Sequence, residues 1–136
     1  MSSLKVKDLC KTYIVNKRQN NVLRNVNLEI KEGEMVAVMG PSGSGKSTLL
    51  YTVSGMDEPT AGRVDYFGKD LGSLSAAAIS DVRLDDMGFI FQQMYMLKNL
   101  SIYDNIILPA YQSGKNKGKE KKHEIDERAK QLMQKM

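Results

Sequence analysis

Residues 40–47 read Gly-Pro-Ser-Gly-Ser-Gly-Lys-Ser, directly after the apolar run Met35-Val36-Ala37-Val38-Met39 and before the helically spaced Leu49, Leu50 and Val53. No other stretch limits the possible folds as much. A run that is apolar at every position predicts a strand covered on both faces, as in a parallel sheet with helices above and below. Glycine reaches backbone shapes closed to other residues, so Gly40, Gly43 and Gly45 allow successive N–H groups to converge as an anion nest. A helix opening near Lys46 adds its N-terminal dipole and unpaired N–H groups. A polyphosphate is the chemistry that needs so many donors close together.

The eight residues match G-x-x-x-x-G-K-[ST], the P-loop pattern, in full. At ordinary residue frequencies, a random chain of this length meets that pattern at roughly the 1% level or below. The pattern sends the Lys46 ammonium to the β- and γ-phosphates, the Ser47 hydroxyl to Mg²⁺ and the Thr48 hydroxyl to a phosphate oxygen. The alternative is a glycine-rich turn with no ligand.

Bulk properties exclude some classes. With 136 residues, the chain is expected to form one domain at most, and 41% apolar residues are enough for a core. The net charge of +4 is too small to argue for nucleic acid. The lysines within 113–122 have no aromatic residues between them, so they are read as solvating a mobile loop. A single cysteine, Cys10, excludes a disulfide within the chain and fits the cytosol. Beside Leu9, Cys10 is expected to be a buried small residue. No apolar run approaches the ~20 residues that span a bilayer, and Met1–Lys7 holds no hydrophobic signal segment.

The remaining elements follow from periodicity. Leu4–Leu9 and Asn25–Lys31 alternate as half-buried strands, with Asn16–Asn21 as a polar loop between them. Gly55 is expected to end the helix that starts at Lys46. Arg63–Tyr66 predicts a short strand after the turn Pro59–Gly62, and Ser75–Leu84 a short helix. Met87–Phe91 reads as a second buried strand. Ser101 and Asp104 have capping-box spacing, and the helix they open is expected to bend or stop near Pro109. Ile125, Ala129, Leu132, Met133 and Met136 share one face of a last helix.

Three segments together narrow the reading: Gly33–Leu50, Pro59–Val64 and Gly88–Gln92. They closely resemble the ATPase domain of ATP-binding-cassette (ABC) transporters, and the resemblance runs along essentially the whole chain. Asp104-Asn105-Ile106-Ile107-Leu108-Pro109 resembles the branch serving lipoprotein release, macrolide export and bacterial peptide-resistance exporters. The fold so implied is α/β, a P-loop NTPase with an antiparallel β subdomain, an incomplete parallel core sheet and the start of a helical subdomain. Within one domain, 1–92 would be nucleotide-binding core and β subdomain, and 93–136 the helical start. A different P-loop enzyme, such as a small-molecule kinase, would lack the pairing of Tyr13 with Gln92 and the Pro59–Val64 turn.

The resemblance also implies roles. Tyr13 would stack on adenine, the alternative being a core or strand tyrosine. Gln92 would approach Mg²⁺ and the attacking water, making Lys46 and Gln92 the catalytic pair. Gly40, Pro41, Ser42, Gly43, Ser44, Gly45, Lys46, Ser47 and Thr48 would bind ATP or ADP, with Ser47 and Gln92 on the metal. Met94–Leu97 would belong to a groove for a membrane-subunit helix, with plain core packing as the alternative. The implied partners are transmembrane permease subunits and a second ATPase subunit, at the cytoplasmic side of the membrane. His123, among lysines and glutamates, is expected to be solvated and is not the family's switch histidine.

Several family parts have no counterpart in residues 1–136: the apolar strand ending in aspartate and then glutamate, the Ser-Gly-Gly-Gln signature and the switch histidine. Leu71–Ser75 is only a faint echo of the signature and precedes Gln92. The expectation is therefore an N-terminal portion of such a domain. It would bind nucleotide, and nucleotide binding without turnover is the alternative to hydrolysis. In the family's sheet other strands separate Met35–Met39 from Met87–Phe91, so either self-association or a rearranged core is expected.

Overall fold

A computed structural model describes residues 2–116 and 118–135. Its backbone clusters into two compact units, Met1–Ile79 and Ser80–Met136.

The first unit is built on a β-hairpin. Strand β1 (Ser2–Val15) pairs antiparallel with β2 (Arg18–Lys31), from Val15 opposite Arg18 to Ser2 opposite Lys31. Asn16 and Lys17 alone make the turn, with φ of 50° and 62°. Positive φ at both central residues is what a two-residue type I′ hairpin requires, and its twist matches the strands. The polar loop expected over Asn16–Asn21 is thus corrected: residues 18–21 continue β2, because a tight turn lets polar residues pair.

Strand β3 (Ala61–Tyr66) joins the other edge of β1, and the short β4 (Lys69–Asp70) closes an antiparallel sheet of order β2-β1-β3-β4. One face of it carries the unit's core: Val6, Leu9, Leu23 and Val64 are buried, with Leu9 at 0% exposure. Asp8 and Asn25 interrupt the ladder with positive φ, at irregularities where β1 and β2 change register. The Asn27 side chain satisfies that irregular backbone, accepting from the Asp8 N–H at 2.9 Å. Cys10 is half-buried rather than buried, because its thiol donates to Asn25 Oδ1 at 3.1 Å at the sheet surface.

Helix α1 (Lys46–Val53) ends as expected at Gly55. Gly55 has φ of 68°, its N–H donates to Thr52, and the Met56 N–H reaches back to Tyr51 at 2.9 Å. Those two bonds form a Schellman cap. Helix α2 (Ala76–Asp86) follows a single 3-10 turn at Leu71–Ser73, and its first turn is capped by Ser75 Oγ.

Two buried strands were expected, and neither forms. Met35–Met39 and Met87–Phe91 carry no regular secondary structure, and Met35 is 100% exposed. A strand exists only beside another strand, because its N–H and C=O groups need a ladder partner. No described strand offers one to either segment. The apolar run remains real, but it lies uncovered.

The second unit holds α3 (Ile102–Gln112) and α4 (Lys119–Met133). Both halves of the Ser101–Asp104 capping box are present. Of the bend or stop expected near Pro109, the helix does not stop at the proline: α3 runs on to Gln112, and the Ser113 N–H bonds the Pro109 carbonyl at 3.2 Å. The loop expected over Ser113–Lys122 is shorter, because α4 already begins at Lys119. Ser113 is buried and donates to Asp85 at 2.6 Å, while Lys115 bonds Asp86 at 2.8 Å. On α4, Ala129 is buried and Ile125 half-buried, but Leu132 and Met133 are exposed. Met136, assigned to the same face, lies outside the described residues.

Candidate nucleotide-phosphate site

The loop between Met39 and α1 has the backbone its sequence calls for. Gly43 and Gly45 stand at φ of 78° and 90°, in the left-handed region that costs other residues energy. Gly45 occupies the N-cap of α1 without a side-chain cap, and the first turn of the helix holds no acidic residue. The first turn of α1 therefore supplies no carboxylate to the positive end of its dipole. Space around Gly45 is tight as well. A Cβ there would stand 3.0 Å from Val22 Cγ1 and 3.3 Å from the Val22 carbonyl oxygen, so β2 backs the loop closely.

Lys46 folds over this loop. Its Nζ donates to the carbonyls of Gly40 at 2.9 Å and Pro41 at 2.7 Å. The Pro41 carbonyl also accepts the Ser44 N–H at 3.3 Å, which closes the turn. Ser42 and Ser47 are exposed, and Thr48 is half-buried on the first turn of α1. The structure thus brings Gly40 through Thr48 together as one cradle.

Tyr13 lies on β1 in the same unit. Its phenol donates to Asp57 Oδ2 at 2.6 Å, and the Lys11 ammonium sits 5.0 Å from its ring centroid. The hydrogen bond to Asp57 and partial burial raise the phenol's pKa, while the Thr48 hydroxyl and the Lys11 charge oppose the rise. Burial pushes the Asp57 carboxyl up, but hydrogen bonds from Lys11 and Tyr13 outweigh it and hold Asp57 below its ordinary value. Lys11 and Asp57 escaped the sequence reading. Lys11 shares a strand face with Tyr13, which is a weak signal, and its partner Asp57 is distant in sequence.

Gln92 belongs to the second unit and is exposed in the irregular segment after Phe91. Phe91 packs its ring against Phe89 and Tyr95, with centroids 5.9 and 5.2 Å apart. Met94, Tyr95, Met96 and Leu97 are all exposed, which removes the core-packing alternative for them. His123 is exposed on α4, as expected. Among the described residues there is no cluster of three metal-ligating side chains, and no helix is long and apolar enough to cross a membrane.

The ABC transporter family profile matches residues 23–136. The chain belongs to the ABC transporter family. It is 43% identical over 110 residues to the lipoprotein-releasing system ATP-binding protein LolD of Wigglesworthia glossinidia brevipalpis, covering 81% of this chain and 48% of that one. Two dimeric structures of the bacterial ABC transporter cassette MJ0796, one of them bound to ADP and Pi, are similar at 36% and 37% identity. Each superposes with a TM-score of 0.87 over 96% of this chain and 56% of the other. The chain thus spans about half the length of the relatives it matches. At that score the backbone follows the cassette, so a rearranged core is not what it shows. The P-loop NTPase class and the antiparallel sheet with helices stand.

Proposed function

We propose that residues Gly40–Thr48 bind the phosphates of ATP or ADP with Mg²⁺, and that the chain is the ATP-binding part of an ABC transporter of the lipoprotein-release type. The observation that carries this reading is the uncapped N-terminus of α1 behind two glycines at positive φ, with the Lys46 ammonium laid on the loop's own carbonyls. That set of groups fits an anion of several charges. Lys46 exchanges weak carbonyl partners for charge-assisted bonds to the β- and γ-phosphates. The loop N–H groups and the helix dipole hold the same oxygens. Ser47 would hold Mg²⁺ on this side, and the ion would supply positive charge that offsets the charge of the phosphates. Tyr13 receives the adenine ring, and Gln92 orients the attacking water. In the full activity, Lys46 and the loop N–H groups stabilise charge that develops on the γ-phosphate as water attacks in line.

The proposed partners are transmembrane permease subunits and a second ATPase subunit, with the protein at the cytoplasmic face of the membrane through the permease. Exposed Met35, Met39, Met94 and Tyr95 support association through apolar surface. Residues 1–92 are proposed as nucleotide-binding core and residues 93–136 as the start of the helical region.

Calorimetry with Mg²⁺ and ATP or ADP tests the reading, comparing the chain with Lys46→Ala while phosphate release is followed on the same samples. Saturable binding that the substitution abolishes is the expected result. Equal binding by both proteins would refute the role of Lys46.

A further inference from the structure

A single carboxylate ties Tyr13 to the helix that opens at the phosphate loop. Asp57 Oδ2 accepts the Tyr13 phenol at 2.6 Å, and Asp57 Oδ1 accepts the Lys11 ammonium at 2.5 Å. Asp57's own N–H donates to the Tyr51 carbonyl at 3.1 Å, within the last turn of α1. The first turn of that same helix holds Lys46, Ser47 and Thr48. A short, continuous chain of bonds thus runs from the aromatic ring to the phosphate cradle.

Lys11 locks this arrangement. It is only 8% exposed, and a buried ammonium without partners is costly. It is satisfied by Asp57 and by the Glu58 carbonyl at 2.6 Å. Lys11 also lies over one face of the Tyr13 ring, so a flat base can be received on the other face only. Fixing the para-hydroxyl of a tyrosine restricts both of its side-chain torsions, so the ring is oriented before any ligand arrives.

We propose that Asp57 is a positioning residue for the nucleotide base, holding the Tyr13 ring at a set distance and tilt from the phosphate loop so that base and phosphates are received together. The proposal rests on the reading of Gly40–Thr48 as a nucleotide-phosphate site. It predicts a specific division of labour. Asp57 contributes to binding of a nucleoside triphosphate and contributes nothing to binding of a bare polyphosphate.

The test is calorimetry on the full chain with Mg²⁺-ATP and with Mg²⁺-tripolyphosphate, for the wild type, Asp57→Ala, Tyr13→Phe and the double variant. The single variants are expected to weaken ATP roughly tenfold, the worth of one charge-assisted hydrogen bond, and to leave tripolyphosphate within about twofold. The double variant is expected to bind no more weakly than Asp57→Ala, because both changes break the same bond. Tyr13→Phe keeps the Lys11–Asp57 pair and serves if Asp57→Ala does not fold. Equal weakening for both ligands, or wild-type affinity for ATP in Tyr13→Phe, overturns the proposal. A wild type that binds tripolyphosphate as tightly as ATP overturns it while the phosphate reading stands. Binding of neither ligand overturns both. Ultraviolet titration, wild type minus Tyr13→Phe, gives a readout free of nucleotide. The Tyr13 phenol should ionise above the ordinary tyrosine value and move down in Asp57→Ala, and an unmoved titration refutes the bond.

Discussion

Gly62 lies against Asp8 so closely that a Cβ on Gly62 would stand 2.4 Å from the Asp8 carbonyl oxygen. Asp8 has φ of 50° where β1 changes register, and this pushes its carbonyl towards β3. Gly62 itself sits at φ of 92°, so two separate constraints forbid a side chain. Gly62→Ala should therefore lower the unfolding free energy by about 3 kcal/mol or more, combining backbone strain with overpacking against main chain. Urea denaturation measures it, and a loss below about 1 kcal/mol would mean the β1–β3 contact is looser than described.

Asn105 is the hub of the segment that leads into α3. Its side chain accepts the Leu97 N–H at 2.8 Å and donates to the carbonyls of Leu97 at 3.1 Å and Ser101 at 2.9 Å. Asn105→Ala should cost about 1–2 kcal/mol, since it leaves backbone groups without partners. Amide hydrogen exchange reads the same change locally. Leu97 should be protected in the wild type and exchange faster in the variant, while an unchanged Leu97 rate refutes the bond.

Tyr103 and Tyr111 share one oxygen of Asp126, at 2.6 and 2.7 Å, and so pin α4 to α3. The bond to Asp126 pushes the Tyr103 phenol up to about 12. Its share of stability is present below the ordinary value of 10.0 and is lost as pH rises from there towards about 12. Bonds from Tyr103 and then Tyr111 hold the Asp126 carboxyl below its ordinary value of 3.8. That share is present above the ordinary value and is lost as pH falls through the lowered one. Thermal melts followed by circular dichroism should show Tyr103→Phe lowering the Tm at neutral pH and narrowing the fall between pH ~10 and ~12. A variant whose alkaline fall equals that of the wild type would show that Tyr103 plays no part in it.

Met35 is fully exposed and Met39 nearly so, at 100% and 87%. Sedimentation velocity should show an average mass that rises with concentration, and Met35→Lys with Met39→Lys should suppress the rise. A monomer at every concentration would remove this part of the proposed association.

The glycine loop at residues 40–45, the start of α1 and its Gly55 cap were legible in residues 40–55 because each depends on groups a few positions apart. The capping box at Ser101 was legible for the same reason, since its bonds close within three residues. The apolar runs at Met35–Met39 and Met87–Phe91 said only that those side chains avoid water. They could not name a neighbouring strand, and without one there is no ladder. Lys11 with Asp57 and Tyr103 with Asp126 are 46 and 23 positions apart, and charges and hydroxyls at such separations are indistinguishable from solvated ones in a linear reading. The sequence by itself determined the backbone of residues 40–47, because glycine's freedom and a helix N-terminus are local properties. Only the tertiary structure decided what surrounds Tyr13 and why Gly62 must be glycine, because those contacts exist only once distant segments have packed.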